Sequence, residues 1–192
     1  LAPPASHLQL GFGDHDGGRL VAAGDQVIHV SSDQGASFAV AALPDDAKAC
    51  LGSKRGPVYG GGVFLITSSS GAVCRSTDRG TTWSKSHIGF DDVGDPLFYD
   101  GAFWVYRYAR AFKSSDGAVW TEVASAGVTR FDALAASAAT GTILALSGGT
   151  LYRSSDAATF EKLPPSSYDL GGASLEHLAF GWALPSSACP SR

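Results

Sequence analysis

The sequence predicts an all-β fold built from a repeated unit of four short strands. Three observations carry this. One octet recurs: Ser76-Thr77-Asp78-Arg79-Gly80-Thr81-Thr82-Trp83 is matched by Ser31-Ser32-Asp33-Gln34-Gly35-Ala36-Ser37-Phe38. Ser114-Ser115-Asp116-Gly117-Ala118-Val119-Trp120 is one residue shorter, and Ser154-Ser155-Asp156-Ala157-Ala158-Thr159-Phe160 is a more divergent copy. The aspartates return about every 40 residues, a period that signals a repeat architecture. Glycine supplies 24 of the 192 residues, nearly twice the usual share, as many short turns require. Finally, short apolar runs alternate with turn residues, and no segment sustains a 3.6-residue apolar period.

Each octet has the chemistry of a tight hairpin turn. Its Ser and Asp side chains accept hydrogen bonds from nearby backbone N–H groups. Gly35 and Gly80 take positive φ without a Cβ clash. The aromatic that follows opens the next strand and covers the turn with apolar surface. In this S-x-D-x-G-x-T-W pattern the chain resembles the Asp-box, or bacterial neuraminidase repeat, family, and the resemblance reaches nearly the whole sequence. It implies a β-propeller of the superfamily that serves sialidases, other glycosidases, lectins, sorting receptors and assembly factors such as those of photosystems. Asp33, Asp78, Asp116 and Asp156 are then structural. Four carboxylates placed once per unit around a ring cannot converge on one substrate.

The whole chain, 1–192, reads as one domain of four-stranded antiparallel blades. Unit one, about 7–43, has strands at 8–12, 19–23, 27–31 and 37–43. Unit two, about 48–88, has them at 48–52, 58–67, 72–76 and 82–88, with a turn or bulge expected at Gly60-Gly61-Gly62. Unit three, about 95–125, has 96–99, 102–108, 110–114 and 119–124. Unit four, about 129–163, has 131–136, 142–147, 150–154 and 159–163. The Ala-rich run of unit four is interrupted by Thr140-Gly141-Thr142 and reads as strand rather than helix. An extra strand is expected at 175–184, where Leu178-Ala179-Phe180-Gly181 echoes Leu10-Gly11-Phe12-Gly13. Four blades and a strand fall short of a six- or seven-bladed ring. Either the ring closes small, or the chain is a fragment, or further protein chain completes it. The last two are favoured, because open blade faces are apolar.

Composition narrows the function classes. The formal net charge of −4, with no basic patch, argues against nucleic acid. No apolar run approaches the ~18 residues of a membrane span. Hydrophobic residues at 44% and charged ones at 17% argue against disorder. The start, Leu1-Ala2-Pro3-Pro4-Ala5, lacks the regions of a signal peptide, and the absence of Met fits a processed or excised chain. Cys50, Cys74 and Cys189 form no C-x-x-C pair, which argues against zinc. In an extracellular protein two of them can pair, and the sequence leaves open which two. The expected location is secreted, periplasmic or cell-surface.

The resemblance implies that ligands use the face opposite the boxes, where each unit's fourth strand connects to the next unit. Those connections, at 44–46, 89–95, 126–127 and 164–173, are acidic in three cases, so a negative rim favouring a cation or basic partner is one expectation. The candidate binding residues are Asp91, Asp92, Asp95, Tyr168, Asp169, His177 and Tyr108. Tyr108 is the aromatic of unit three expected to be exposed, whereas Trp104 and Tyr106 are expected in the core. A sialidase resemblance would require an Arg-Ile-Pro motif, an Arg cluster and a Tyr–Glu nucleophile pair. Arg-Ile-Pro is absent, and Arg107, Arg110 and Arg130 form no visible triad. Asp132 and Glu176, on neighbouring innermost strands, are the one carboxylate pair that a glycoside hydrolase could use. Asp14-His15-Asp16-Gly17-Gly18 is faintly like a calcium loop, with Asp14 and Asp16 as candidate ligands. The reading is a secreted or envelope binding or assembly module for a protein or glycan, without cofactor and with no glycosidase activity expected of this chain by itself. The alternative is part of a sialidase-like or xyloglucanase-like hydrolase.

Overall fold

The computed structural model describes residues 9–13, 18–24, 26–52, 54–124, 127–137, 139–165 and 168. Their strands form four antiparallel four-stranded sheets, each a meander in chain order. Sheet 1 holds β1 (Gln9–Gly13), β2 (Arg19–Ala23), β3 (Ile28–Ser31) and β4 (Ala39–Val40). Sheet 2 holds β5 (Lys54–Gly60), β6 (Val63–Ser68), β7 (Ala72–Ser76) and β8 (Ser84–His87). Sheet 3 holds β9 (Leu97–Tyr99), β10 (Ala102–Arg107), β11 (Arg110–Ser114) and β12 (Thr121–Ala124). Sheet 4 holds β13 (Ala133–Ser137), β14 (Thr142–Ser147), β15 (Thr150–Ser154) and β16 (Glu161–Lys162). The first strands adjoin in sequence, β1 with β5, β5 with β9 and β9 with β13, so they form the inner wall of a propeller-like array. Among the described residues no helix is long and apolar enough to cross a membrane.

One strand differs from the sequence expectation. Residues 48–52 are not the first strand of sheet 2. Asp45–Cys50 is a 3-10 helix, and the strand is Lys54–Gly60. Asp45 and Asp46 occupy the first turn of that helix, and Lys48 pairs with Asp45 at 2.8 Å. The expected strand at 58–67 is accordingly two strands, with Gly61 and Gly62 at φ 56° and 82° turning β5 into β6. The 3-10 helix is anchored by a Cys50–Cys74 disulfide with Cα atoms 5.8 Å apart. Cys189 and the expected strand at 175–184 lie outside the described residues.

Both faces of the middle sheets are buried, as blades stacked on blades require. Val21, Ala23, Ile28 and Val30 of sheet 1 pack on Phe64, Ile66, Cys74 and Trp83 of the second unit. The other face of sheet 2, with Val63, Leu65 and Val73, packs on Phe103, Val105 and Phe112. Trp104, Tyr106 and Ala111 of sheet 3 then meet Ile143, Ala145 and Phe160.

The box turns close the third strand onto the fourth in every sheet. Asp78 shows the full pattern. Its Oδ1 accepts the Thr82 N–H at 2.9 Å, and its Oδ2 accepts the Thr82 hydroxyl at 2.6 Å. The Ser76 hydroxyl donates to Asp78 Oδ1 and accepts the Gly80 N–H, both at 2.8 Å. Asp33 binds the Ser37 N–H and hydroxyl in the same way. Asp116 accepts the N–H groups of Ala118 and Val119, and Asp156 those of Ala158 and Thr159. Each turn needs a left-handed residue straight after its aspartate: Gln34 (φ 60°), Arg79 (64°), Gly117 (74°) and Ala157 (62°).

Candidate functional site

The ends of the strands opposite the box turns surround a cleft of about 620 Å³. It is built from three sheets. β5 contributes Arg55, and the connection from β8 to β9 contributes Asp92, Val93, Gly94 and Asp95. β10 runs up to Tyr106 and Tyr108, and the connection into β13 supplies Arg130, Phe131, Asp132, Ala133 and Leu134. The geometry follows from meander topology: strand starts and second-to-third strand turns share one end, and box turns share the other.

The β8–β9 connection is held in place by the turn between β6 and β7. Ile88 donates to the Gly71 carbonyl at 2.9 Å, and Asp92 donates its N–H to Ser69. A Cβ on Gly71 would sit 1.9 Å from the Phe90 carbonyl oxygen, so only glycine permits this approach. His87 Nδ1 accepts the Gly89 N–H, and its Nε2 meets the Ser70 carbonyl, each at 2.9 Å. Gly94 donates to the Tyr106 carbonyl at 2.9 Å, tying the connection to β10.

The rim is charged in both signs. Arg55 lies 3.7 Å from Asp95, and Arg130 Nε lies 2.9 Å from Asp132 Oδ1. The other oxygen of Asp132 accepts the Gly148 N–H at 2.7 Å. Asp92 accepts a hydrogen bond from the Tyr108 hydroxyl, which pushes that hydroxyl's pKa upward. Asp92 (φ 63°) and Tyr108 (φ 49°) are both non-glycine residues in the left-handed region. Such residues cost on the order of 1–3 kcal/mol each, persist only where their surroundings over-determine them, and cluster at binding and switch sites. Tyr108 is 58% exposed, while Trp104 and Tyr106 are buried.

Four sequence candidates therefore come together on one cleft: Asp92, Asp95, Tyr108 and Asp132. Asp91 is exposed on the same connection but does not line the cleft. Tyr168 is elsewhere, its hydroxyl accepting the Leu151 N–H at 3.4 Å. Asp14, Asp16, Asp169, Glu176 and His177 lie outside the described residues. Three carboxylates, Asp92, Asp95 and Asp132, line the cleft together with Arg55 and Arg130, so positive charge interleaves with the acidic connection, and Asp45 pairs with Lys48. Arg55 escaped the sequence reading because the strand of unit two was placed six residues early. Phe131 and Leu134, partly buried at the cleft, escaped it because nothing local distinguishes these residues from core.

No protein-family model matches the chain, and no curated protein matches it. Solved structures do. The GH74 enzyme of Niastella koreensis is 21% identical over 85% of this chain and 25% of its own, with a TM-score of 0.61. YCF48 bound to D1 peptide is 17% identical over 84% of this chain and 56% of its own, with a TM-score of 0.62. PorZ, a surface component of the type-IX secretion system of Porphyromonas gingivalis, is 14% identical over 82% and 21%, with a TM-score of 0.58. The chain thus spans between 21% and 56% of the length of these structures. At such identities the likeness is one of fold, and the four sheets are blades of a β-propeller.

Proposed function

We propose that this chain is a binding or assembly module of the Asp-box type, working outside the cytoplasm or at the cell envelope, whose protein or glycan partner docks in the cleft. The observation that carries the reading is the cleft itself. Three blades converge there, two left-handed non-glycine residues line it, and partly buried Phe131 and Leu134 lie beside a rim of both charges. That combination suits recognition, in which a few placed polar groups orient a ligand over apolar surface. The four like-bonded box turns support the Asp-box assignment and a single domain with blades at about 7–43, 48–88, 95–125 and 129–163. The Cys50–Cys74 disulfide supports an oxidising compartment. Among the proteins of similar fold, YCF48 is seen bound to D1 peptide and PorZ is an essential bacterial surface component of the type-IX secretion system, which supports the binding reading.

A hydrolase reading has less behind it. Asp132 spends both carboxylate oxygens on Arg130 and Gly148, as a staple does. Of the other carboxylates that line the cleft among the described residues, Asp95 lies 3.7 Å from Arg55, and Glu176, the expected partner of Asp132, is outside the described residues.

The test is panning of the purified chain against a displayed peptide library and a glycan array, alongside Tyr108→Ala and Asp95→Ala. Ligands should be retained by the wild type and weakened at least tenfold by Tyr108→Ala, with an unchanged urea midpoint. Ligands indifferent to both substitutions would place the binding surface elsewhere and overturn the reading.

A further inference from the structure

We infer that His87 is a proton-sensitive latch on the connection between β8 and β9, holding Asp92 and Asp95 along the cleft near neutral pH and loosening them as the pH falls. Its bearing on binding rests on the reading of the cleft as the binding surface; the latch itself does not. His87 closes β8, paired with Ala72 at the start of β7. The turn that leads into β7 presents the Ser70 carbonyl to His87 Nε2 at 2.9 Å, and the Gly89 N–H meets Nδ1 at 2.9 Å. A carbonyl only accepts and a backbone N–H only donates. One state of the ring satisfies both: the neutral imidazole with its proton on Nε2. A Cβ at Gly71 would lie 3.0 Å from His87 Cε1, so the ring is seated against the backbone of the turn.

A second proton goes onto Nδ1 and sets two donors against each other. The imidazolium keeps the Ser70 contact, because Nε2–H still donates, and gives up Gly89. Gly89 has φ 105° and open space where a Cβ would stand, so side-chain packing does not hold this point of the chain. Three residues on, Asp92 at φ 63° donates its N–H to the carbonyl of Ser69, the neighbour of Ser70 in the same turn. A left-handed non-glycine residue persists only where its surroundings over-determine it. Asp92 is therefore the place where a lost tether at Gly89 is felt.

The charged groups on the elements around the ring do not replace the lost bond. Lys85 precedes it on the same face of β8, and Asp45, Asp46 and Lys48 belong to the 3-10 helix that packs against β8. Asp91 and Asp92 lie on the connection, and the turn at 68–71 carries no charge. Lys48 pairs with Asp45, and Asp92 accepts the Tyr108 hydroxyl. Among the described residues none of these six groups forms an ion pair with His87. Histidine gains its charge between about pH 8 and about pH 5, whereas aspartates titrate near or below about pH 4. Mild acidification therefore acts on the latch and spares the box turns.

The experiment reads the latch on the full chain without any ligand. NMR of the imidazole nitrogens at about pH 7.5 should show His87 protonated on Nε2 alone. Amide hydrogen exchange, corrected for intrinsic rates, is then compared at about pH 7.5 and about pH 5. Protection at Gly89 and Asp92 should fall by about threefold to tenfold, the share of one hydrogen bond, while Ile66 and Val105 in the core stay unchanged. His87→Gln should abolish the response, and His29→Gln should keep it. If His87→Gln does not fold, the wild type carries the same test, because the His87 titration and the Asp92 exchange must share one midpoint. A ring protonated on Nδ1 near neutral pH, a response that survives His87→Gln, or a response confined to Gly89 overturns this inference and leaves the cleft reading standing. Ligands weakened by Tyr108→Ala should also lose about threefold or more on the same acidification; a connection that loosens without weakening them overturns its link to binding. Absence of any ligand sensitive to Tyr108→Ala overturns the cleft reading and leaves the latch standing.

Discussion

Asp78 shows how one side chain holds a hairpin. Its two oxygens and the Ser76 hydroxyl meet the backbone N–H groups of Thr82 and Gly80 and the Thr82 hydroxyl. Slight desolvation raises the Asp78 pKa, but the Thr82 hydroxyl and N–H and the Ser76 hydroxyl outweigh it, and the net shift is downward. Asp33 is drawn down to about 2, chiefly by the Ser37 hydroxyl and then by that of Ser31. A carboxylate whose folded pKa lies below its unfolded value stabilises the fold above the unfolded pKa and loses that contribution as pH falls through the folded one. Asp116 and Asp156 shift the same way. Stability should therefore hold down to about pH 4, the unfolded aspartate range, and decline from there toward pH 2. Asp78→Ala should cost about 1–3 kcal/mol and flatten part of this acid limb. Urea titrations between pH 2 and 7 check both; an unchanged midpoint in Asp78→Ala would mean that the turn does not depend on its carboxylate.

Box turns also act between blades, and Gly117 is the clearest case. It has φ 74°, and a Cβ there would stand 2.3 Å from Leu65 Cδ1, a fully buried side chain of the preceding sheet. Gly148 has φ 53° and open space around its missing Cβ. Ala at either site meets the left-handed penalty, but only Gly117→Ala also overpacks a core. The expected difference is about 1–3 kcal/mol in favour of Gly148→Ala, read from denaturant midpoints. Equal losses would show that Leu65 yields freely. The disulfide acts on another element, tying the 3-10 helix to β7 across 24 residues of chain. Cys50→Ala with Cys74→Ala should cost about 3 kcal/mol, and a melting temperature that does not change on reduction would refute it.

Stacking is directional. Trp83 and Phe160, the aromatics that follow their boxes, are each 3% exposed and packed against the preceding sheet. Phe38 holds the same place in sheet 1 and is 45% exposed, with Val40 at 66%. Burying apolar surface contributes about 25 cal/mol per Å², so this edge favours a further blade. We propose that Phe38 is covered by additional protein in the completed ring, from this chain or another. Small-angle scattering with hydroxyl-radical footprinting tests it: a compact, monodisperse monomer of these 192 residues with Phe38 freely oxidised would refute it.

The features legible in the sequence are those whose cause lies within a few residues. Ser76, Asp78, Gly80 and Thr82 specify a turn by hydrogen bonds that span at most four positions, so four copies announced four hairpins and the blade period. Alternation along 102–107 announced a strand with Trp104 and Tyr106 inside. Contacts between distant segments were not legible. Residues 48–52 and 54–60 both carry enough apolar character for an inner strand, and docking of the 3-10 helix against β7 through Cys50 decides between them. The left-handed residue after each aspartate is masked in the sequence because Gln34, Arg79 and Ala157 hold it without being glycine. The cleft is set by tertiary structure alone. Arg55, Asp92, Tyr108 and Asp132 belong to different blades, and only the packing of strand ends around one axis gives them a common surface and a mixed charge.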